Sequence, residues 1–191
     1  MKINVLNNGF VELWQKDGQD FDVATAARAS YLGHSKGQEQ DKKLMMRLYR
    51  DNHSTPFEMV GFSVRIKAPL VFWWQTVRHR TFSYNLQSGR YTALSDLHIP
   101  EQNAWRKQSK ENKQMSDGLT EIPPTLYDSI VQHMRQGQML YQHLLEQGVA
   151  KEQARFVLPA FSVYYTGIMK GNVRNWLAFL NLRLANDVQQ E

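Results

Sequence analysis

Residues 60–91 read VGFSVRIKAPLVFWWQTVRHRTFSYNLQSGRY, and this stretch carries the strongest structural signals in the chain. Apolar and polar side chains alternate in its first part, in the order Val60, Gly61, Phe62, Ser63, Val64, Arg65, Ile66, Lys67. Such alternation is typical of a strand with one buried face. We therefore predict a half-buried strand here, with its polar face directed outward.

The second part of the stretch predicts a helix followed by a polar loop. Pro69 and the large apolar residues after it indicate a helix that runs as far as His79. On such a helix Gln75 lies one turn from both Arg78 and His79, so the three side chains share a face. The loop after it is rich in hydrogen-bonding groups, namely Arg80, Ser83, Asn85, Gln87, Ser88, Gly89 and Arg90.

This combination of residue types suits an oxyanion-rich ligand. Guanidinium groups bind phosphate bidentately through charge-assisted hydrogen bonds, and glycine lets the backbone approach closely. An Arg-His-Arg cluster is also common on solvated faces and nucleic-acid-binding surfaces. The net charge of +5 and the pI of about 9.4 favour anionic partners in general, so charge leaves these alternatives open.

Length and composition limit the classes of protein. The 191 residues, 42% of them hydrophobic, suit a single domain over residues 1–191 with a polar, irregular insertion at about 94–124. The absence of cysteine excludes disulfides, thiolate zinc sites and a cysteine nucleophile, and the six scattered histidines predict no metal site. No apolar run approaches the roughly 20 residues of a membrane span, and the N-terminus lacks a signal peptide. We expect a soluble cytoplasmic protein.

The remaining segments predict an α+β fold with helices packed on an antiparallel sheet. We expect an edge strand within residues 3–14 and a further strand over residues 160–168. Helices are predicted after Asp22, over residues 38–51, over residues 125–147 and from about residue 171 to the end. Apolar stripes are predicted to face the core, with Leu44, Met45 and Leu48 on the second helix, Leu126, Ile130, Met134, Leu140, Leu144 and Leu145 on the third, and Val173, Trp176, Leu177, Leu180, Leu184 and Val188 on the last.

Two further segments allow a structural or a functional interpretation. The block His53-Ser-Thr-Pro-Phe-Glu58 precedes the predicted strand and forms either a capped turn or a ligand loop. Arg155 lies one turn from Glu152 on a short predicted helix, where it forms either a surface ion pair or a ligand contact.

Four blocks, taken in order, resemble the flavin-dependent thymidylate synthases. They are HSTPFE at 53–58, RHR followed by seven residues and Ser at 78–88, EQARFVLP at 152–159 and NVRNWLAFLNLR at 172–183. The resemblance covers the chain from about residue 22 to the end. It implies formation of dTMP from dUMP with FAD as carrier and with methylenetetrahydrofolate and NADPH as co-substrates. It also implies a homotetramer with small-molecule ligands and no nucleic-acid or membrane partner. No cysteine nucleophile is required, which agrees with the composition.

The resemblance assigns roles residue by residue. The residues implied to bind FAD are His53, Thr55, Arg78, His79, Arg80, Asn85, Asn172, Arg174 and Ala178. Those implied to bind dUMP are Gln75, Arg78, Leu86, Gln87, Ser88, Gly89, Arg90, Arg155 and Arg183. Arg183 is implied to act catalytically, because a cation at the uracil ring stabilises the ring as a nitrogen loses its proton.

The last helix predicts that these sites are shared. Asn172 and Arg183 project in nearly the same direction on one helix, whereas Arg174 projects in roughly the opposite one. The two arginines therefore serve two sites, or one site that lies between subunits. This agrees with the homotetramer implied by the resemblance.

Three positions depart from the family pattern and keep two alternatives open. Leu86 stands where the family commonly has Glu, Met59 where His is frequent, and Ala178 where a polar residue is common. One alternative is a relative that binds flavin and nucleotide but has lost synthase activity. The other is a nucleic-acid-binding module that uses Arg78, Arg80, Arg90 and the lysines of residues 107–113.

The departure at residue 178 generates a prediction. We expect Ala178→Asn to tighten the retention of FAD, because it restores a polar group where relatives commonly hold the flavin. A titration of the apoprotein with FAD measures the change. Unchanged or weaker binding would contradict the assignment of residue 178 to the flavin site.

Overall fold

A five-stranded antiparallel sheet forms the centre of the structure, a computed structural model that describes residues 1–185. Its strand order is β1-β2-β3-β7-β4. The strands are β1 (Lys2–Val5), β2 (Gly9–Asp17), β3 (Gly61–Pro69), β4 (Ser83–Leu86) and β7 (Tyr164–Asn172). A separate two-stranded sheet pairs β5 (Arg106–Gln108) with β6 (Ser116–Leu119). The predicted α+β class with an antiparallel sheet is confirmed.

Six α-helices surround the sheet within residues 1–185. They are α1 (Asp20–Ala29), α2 (Gln38–Arg50), α3 (Leu70–Thr76), α4 (Pro124–Glu146), α5 (Lys151–Ala154) and α6 (Val173–Arg183). The predicted helices over 38–51 and 125–147 are confirmed, and α4 ends before Gly148, which has a positive φ of 79°. None of the helices in this part of the chain is long and apolar enough to cross a membrane.

Strand β3 confirms the strongest sequence signal, with one correction. Val64 and Ile66 are buried, as the alternation predicts. The opposite face is not wholly solvent-exposed, because Ser63 is only 1% exposed. Strand β3 is central in the sheet, paired with β2 on one side and β7 on the other.

Aromatic rings pack directly onto the backbone of β7. A Cβ placed on Gly167 would lie 2.8 Å from the Trp73 ring, and one on Gly171 would lie 2.5 Å from the Phe82 ring. The Phe62 and Trp176 rings stack with centroids 4.7 Å apart. These contacts hold α3 and α6 against the sheet in one apolar cluster.

A second apolar cluster lies under α4 and corrects its predicted stripe. Leu126 and Leu140 are exposed, whereas Tyr141, which the stripe omitted, is 2% exposed. Gly137 allows a close approach, since a Cβ there would lie 2.7 Å from the Val157 carbonyl oxygen. Glycine weakens a helix interior, but here it is required for packing.

Two predicted strands differ in their bounds. Residues 3–14 form most of a hairpin rather than one edge strand, because the chain reverses at residues 6–8 and Leu6 has a positive φ of 54°. The strand predicted at 160–168 begins only at Tyr164, since Ala160–Ser162 form a 3₁₀ turn.

The insertion is more regular than predicted. Residues 106–119 contain the β5–β6 hairpin, so the expectation of an irregular segment is wrong there. The start of the insertion is tied to the main sheet, with Leu94 buried and Leu97 bridged to Val163.

Helix α6 buries less of its apolar stripe than predicted. Trp176 is buried, but Leu180 and Leu184 are exposed. The predicted core residue Val188 lies outside the described residues. Leu182 is exposed as well, so three leucines at and just after the end of this helix are exposed to solvent in the single chain.

A buried ion pair joins α1 to α2. Arg28 Nη2 lies 2.5 Å from Asp41 Oδ1, and both side chains are almost wholly buried. The Ser35 hydroxyl donates to Asp41 at 2.6 Å and is the main cause that lowers the pKa of this carboxyl. The pair fixes the loop between the two helices.

The contact between Gly167 and Trp73 generates a stability prediction. We expect Gly167→Ala to lower the free energy of unfolding by about 1 to 3 kcal/mol, because the added methyl overlaps a buried indole ring. Urea unfolding at one fixed protein concentration measures the change.

Gly118→Ala is the matched control. A Cβ there meets no atom of the described residues within 4 Å, so we expect a change within about 0.5 kcal/mol. Equal effects of the two substitutions would contradict the packing argument.

Candidate active site

The Arg78–Arg80 segment forms a turn after α3, not a continuation of it. Helix α3 ends at Thr76, so Gln75, Arg78 and His79 do not share a helical face and that prediction is wrong. The Tyr84 hydroxyl donates to the Thr76 carbonyl oxygen at 2.7 Å and lies 3.0 Å from the His79 carbonyl oxygen. The phenol thereby takes the Thr76 carbonyl oxygen, which in a longer helix would accept a backbone N–H. Burial raises the pKa of Tyr84 to about 12, so the phenol remains a donor.

His79 accepts hydrogen bonds from Arg183. The Arg183 Nε and Nη2 atoms lie 3.1 and 2.9 Å from His79 Nε2. Because arginine only donates, Nε2 carries no proton in this contact. Burial lowers the pKa of His79, and the positive charge of Arg183 lowers it further. The structure therefore joins a residue assigned to the flavin with the one assigned to the uracil ring.

The start of α6 lies against the same turn. Asn172 caps α6 by accepting from the Asn175 backbone N–H at 2.9 Å, and the Asn175 side chain donates to the Thr81 carbonyl at 2.8 Å. Arg174 forms an ion pair with Glu58 of the HSTPFE block. Asn172 thus has a structural role in addition to the one assigned from the sequence.

A polar cavity of about 260 Å³ lies at this junction. Its lining includes Glu58, Gly61, Thr81, Ser83, Asn172 and Asn175. The volume is below the roughly 300 to 1,000 Å³ of pockets that hold a whole drug-sized ligand. The cavity therefore suits one part of a larger ligand.

The segment after β4 forms a tight turn beside the start of β7. The Gln87 backbone N–H donates to the Thr166 carbonyl at 2.8 Å, and its side-chain oxygen accepts from the Thr166 N–H at 3.2 Å. The Ser88 carbonyl accepts from the N–H groups of Tyr91 and Thr92, both at 3.1 Å. Arg90 is exposed, whereas Gly89 is buried. The side chain of Gln87 is therefore engaged with the sheet.

Arg155 does not form the surface ion pair that its spacing allowed. Its Nε donates to the backbone carbonyl of Glu152 at 3.3 Å, and within residues 1–185 its guanidinium has no carboxylate partner. The side chain is half-buried beside the start of β7. This position leaves its charge available to a ligand.

The assigned residues form two groups at opposite ends of β7. Gln87 pairs with Thr166 near the start of the strand, and Asn172 ends it. The six residue steps from Thr166 to Asn172 correspond to roughly 20 Å at about 3.3 Å per residue. Four other residues assigned to FAD are exposed, namely His53, Thr55, Asn85 and Ala178. Leu86 and Gln75 are half-buried.

No sequence motif indicates several of the polar contacts in this region. Thr81 and Asn175 lie 94 positions apart, whereas Tyr84 contacts carbonyl oxygens only five and eight positions before it, and all three residue types are common in ordinary turns and strands. Within residues 1–185, no three His, Cys, Asp or Glu side chains come together in a group that could hold a metal ion.

Comparison with known proteins identifies the family. The family described as thymidylate synthase complementing protein matches residues 12–191. A flavin-dependent thymidylate synthase of Thermus thermophilus is 42% identical over 194 residues, covering 100% of this chain and 70% of that protein. The corresponding protein of Kosmotoga olearia is 40% identical over 197 residues, covering 100% and 83%.

A solved structure agrees with this result. The UMP/dUMP methylase PolB from Streptomyces cacaoi, bound with 5-Br dUMP, superposes with a TM-score of 0.79 at 28% identity. The superposition covers 95% of this chain and 80% of that one. The chain therefore belongs to the thymidylate synthase complementing protein family, the flavin-dependent thymidylate synthases.

The contact between His79 and Arg183 generates a pH prediction. We expect the pKa of His79 to lie below the ordinary histidine value, and Arg183→Gln to raise it only part of the way back, because burial is the larger cause. The His79 ring therefore binds a proton more readily in the unfolded chain than in the folded protein. The stability that neutral His79 contributes is therefore complete above the ordinary histidine pKa and is lost as pH falls through the folded-state pKa.

An NMR titration of the His79 ring measures this pKa in each variant. Arg174→Gln is the matched control, since Arg174 pairs with Glu58 and is not among the causes of the shift. A full return to the ordinary value in Arg183→Gln, or an equal rise in the control, would refute the account.

Proposed function

We propose that this chain makes dTMP from dUMP, with FAD as the bound carrier and with methylenetetrahydrofolate and NADPH as co-substrates. The observation that carries the proposal is the contact between His79 and Arg183. It places the arginine assigned to the uracil ring against the Arg-His-Arg turn assigned to the flavin. The similarity to flavin-dependent thymidylate synthases over the full chain supports the same reaction.

The residues present fit an FAD molecule. Arg78 and Arg80 are exposed on either side of His79, where two guanidinium groups suit a pyrophosphate. The polar cavity at the start of α6 has a size that suits part of such a ligand. When bound, FAD supplies the hydride and one-carbon chemistry, which leaves binding, orientation and electrostatics to the protein.

Arg183 is the residue that we assign to catalysis. Two of its nitrogens are held by His79, so the guanidinium is oriented before a ligand binds. A fixed cation beside the uracil ring stabilises the negative charge that develops when a ring nitrogen loses its proton. This raises the electron density at carbon 5, the atom that receives the methyl group. The absence of cysteine agrees with activation by electrostatics alone.

We assign the nucleotide phosphate to the turn that contains Ser88, Gly89 and Arg90, together with Arg155. Arg155 has no carboxylate partner within residues 1–185, and Arg90 is exposed. Gln75 and Leu86 complete the proposed dUMP residues. Ser88 has a binding role, because a serine nucleophile needs an adjacent base.

We further propose that the chain is a homotetramer whose sites are shared between subunits. The two groups of site residues lie at opposite ends of β7, and the arginines of α6 have different partners, Glu58 for Arg174 and His79 for Arg183. Large apolar side chains that suit subunit contacts are exposed in the single chain, including Phe156, Phe161, Leu180, Leu182 and Leu184. The cytoplasmic location stays a prediction from the sequence.

The visible spectrum and the formation of dTMP test this function. We expect purified protein, reconstituted with FAD, to form dTMP anaerobically from dUMP, methylenetetrahydrofolate and NADPH. Arg183→Ala should retain flavin and lose about 100-fold or more in rate, since it removes a charge that acts at the reacting ring. Arg78→Ala should lose both flavin and activity.

Arg47→Ala is the control, because the Arg47 side chain is 77% exposed and, among residues 1–185, pairs only with Asp51. It should leave flavin content and rate unchanged. Bound flavin without product in the unsubstituted protein would indicate a relative that has lost the activity. A protein that FAD does not reconstitute, and that binds DNA in a salt-sensitive way, would refute the enzymatic function.

A further inference from the structure

We propose that the Tyr165 hydroxyl is an additional ligand of the nucleotide 5′-phosphate, placed between Arg155 and the backbone of Gly89. Tyr165 belongs to none of the four sequence blocks that resemble the family. The inference rests on the proposed function, because it requires that the chain bind dUMP.

The Tyr165 hydroxyl lies beside the proposed phosphate turn. A Cβ built on Gly89 would lie 3.5 Å from this hydroxyl and 3.0 Å from Leu94 Cδ1. The absence of a side chain at residue 89 therefore leaves the hydroxyl next to the backbone. Gly89 is buried, and the Tyr165 hydroxyl lies against it on the inner side of the turn.

The backbone of Tyr165 is held firmly. Its carbonyl oxygen accepts from the Trp73 indole N–H at 3.0 Å, and the residue pairs with Ala68 across β3 and β7. The ring is half-buried and packs against both major apolar clusters. A ligand group on a central strand is positioned more accurately than one on a loop.

Arg155 acts on the same hydroxyl. Its positive charge lowers the pKa of Tyr165, but burial has the larger effect and raises it. The phenol therefore keeps its proton at neutral pH and remains a donor. The guanidinium of Arg155 and the Tyr165 hydroxyl are thus adjacent, and both can donate to an anion.

These donors match a phosphate dianion. A neutral O–H that donates to an anionic oxygen forms a short, charge-assisted hydrogen bond, and a guanidinium beside it supplies the balancing charge. The bond forms only with the phosphate, so the hydroxyl distinguishes a nucleotide from its nucleoside. The adjacent Tyr164 serves as a comparison, because its hydroxyl is engaged elsewhere and lies 2.5 Å from Asn7 Oδ1.

Binding of dUMP and of deoxyuridine to the FAD-loaded protein tests the inference. By isothermal titration, we expect Tyr165→Phe to raise the Kd of dUMP about 10-fold, the loss expected for one hydrogen bond to a charged group. The Kd of deoxyuridine, which has no phosphate, should not change. Tyr164→Phe, which removes a hydroxyl from the neighbouring residue, should leave both Kd values unchanged.

Two results would overturn the inference while leaving the proposed function intact. One is an unchanged Kd of dUMP in Tyr165→Phe. The other is an equal weakening of dUMP and deoxyuridine, which would mean that the ring packs but the hydroxyl does not bind phosphate. Failure of the unsubstituted protein to bind dUMP would refute both the function and the inference, and that result is distinct because it precedes any substitution.

Discussion

The packing of Trp73 onto Gly167 is the constraint on which the rest of the structure depends. The ring takes the space of a side chain on β7, and its indole N–H donates to the carbonyl oxygen of Tyr165 on the same strand. An apolar contact alone would allow the short helix α3 to slide along the sheet. The hydrogen bond fixes its position, because an indole N–H buried without a partner is costly.

This anchor connects both parts of the candidate site. In one direction along the chain, α3 leads directly into the Arg78–Arg80 turn, which Tyr84 then holds. On the other strand, the anchored residue is Tyr165, beside Arg155 and Gly89. The core therefore sets the relative positions of the two groups of side chains that we propose to bind ligands. The aromatic residues that stabilise the core therefore also position the residues that we assign to the site.

Sequence patterns predicted the elements whose signals are local. The alternation of β3 and the apolar stripe of α2 are repeated over many residues, and both elements formed as predicted. The N-terminal hairpin differs from the predicted single strand because the chain reverses at residues 6–8, where Leu6 has a positive φ although leucine is not a turn-forming residue type. The contact between His79 and Arg183 joins residues 104 positions apart, so no local pattern reports it. Only the resemblance to a family placed these two residues in neighbouring roles, and neither pattern nor resemblance indicated Tyr165.

The ion pair between Arg174 and Glu58 affects the proposed binding of an anion at the start of α6, because Glu58 already contacts the arginine. Arg174 is not an unpaired cation, because the Glu58 carboxylate of the same chain forms an ion pair with it. In the proposed binding of FAD, a phosphate and Glu58 compete for Arg174, so the electrostatic gain is smaller than it is for an unpaired arginine. Glu58 belongs to the block 53–58, so the ion pair links that segment to the start of α6. Glu58 also keeps the Arg174 side chain oriented when no ligand is bound, and it lowers the affinity of Arg174 for the proposed anion.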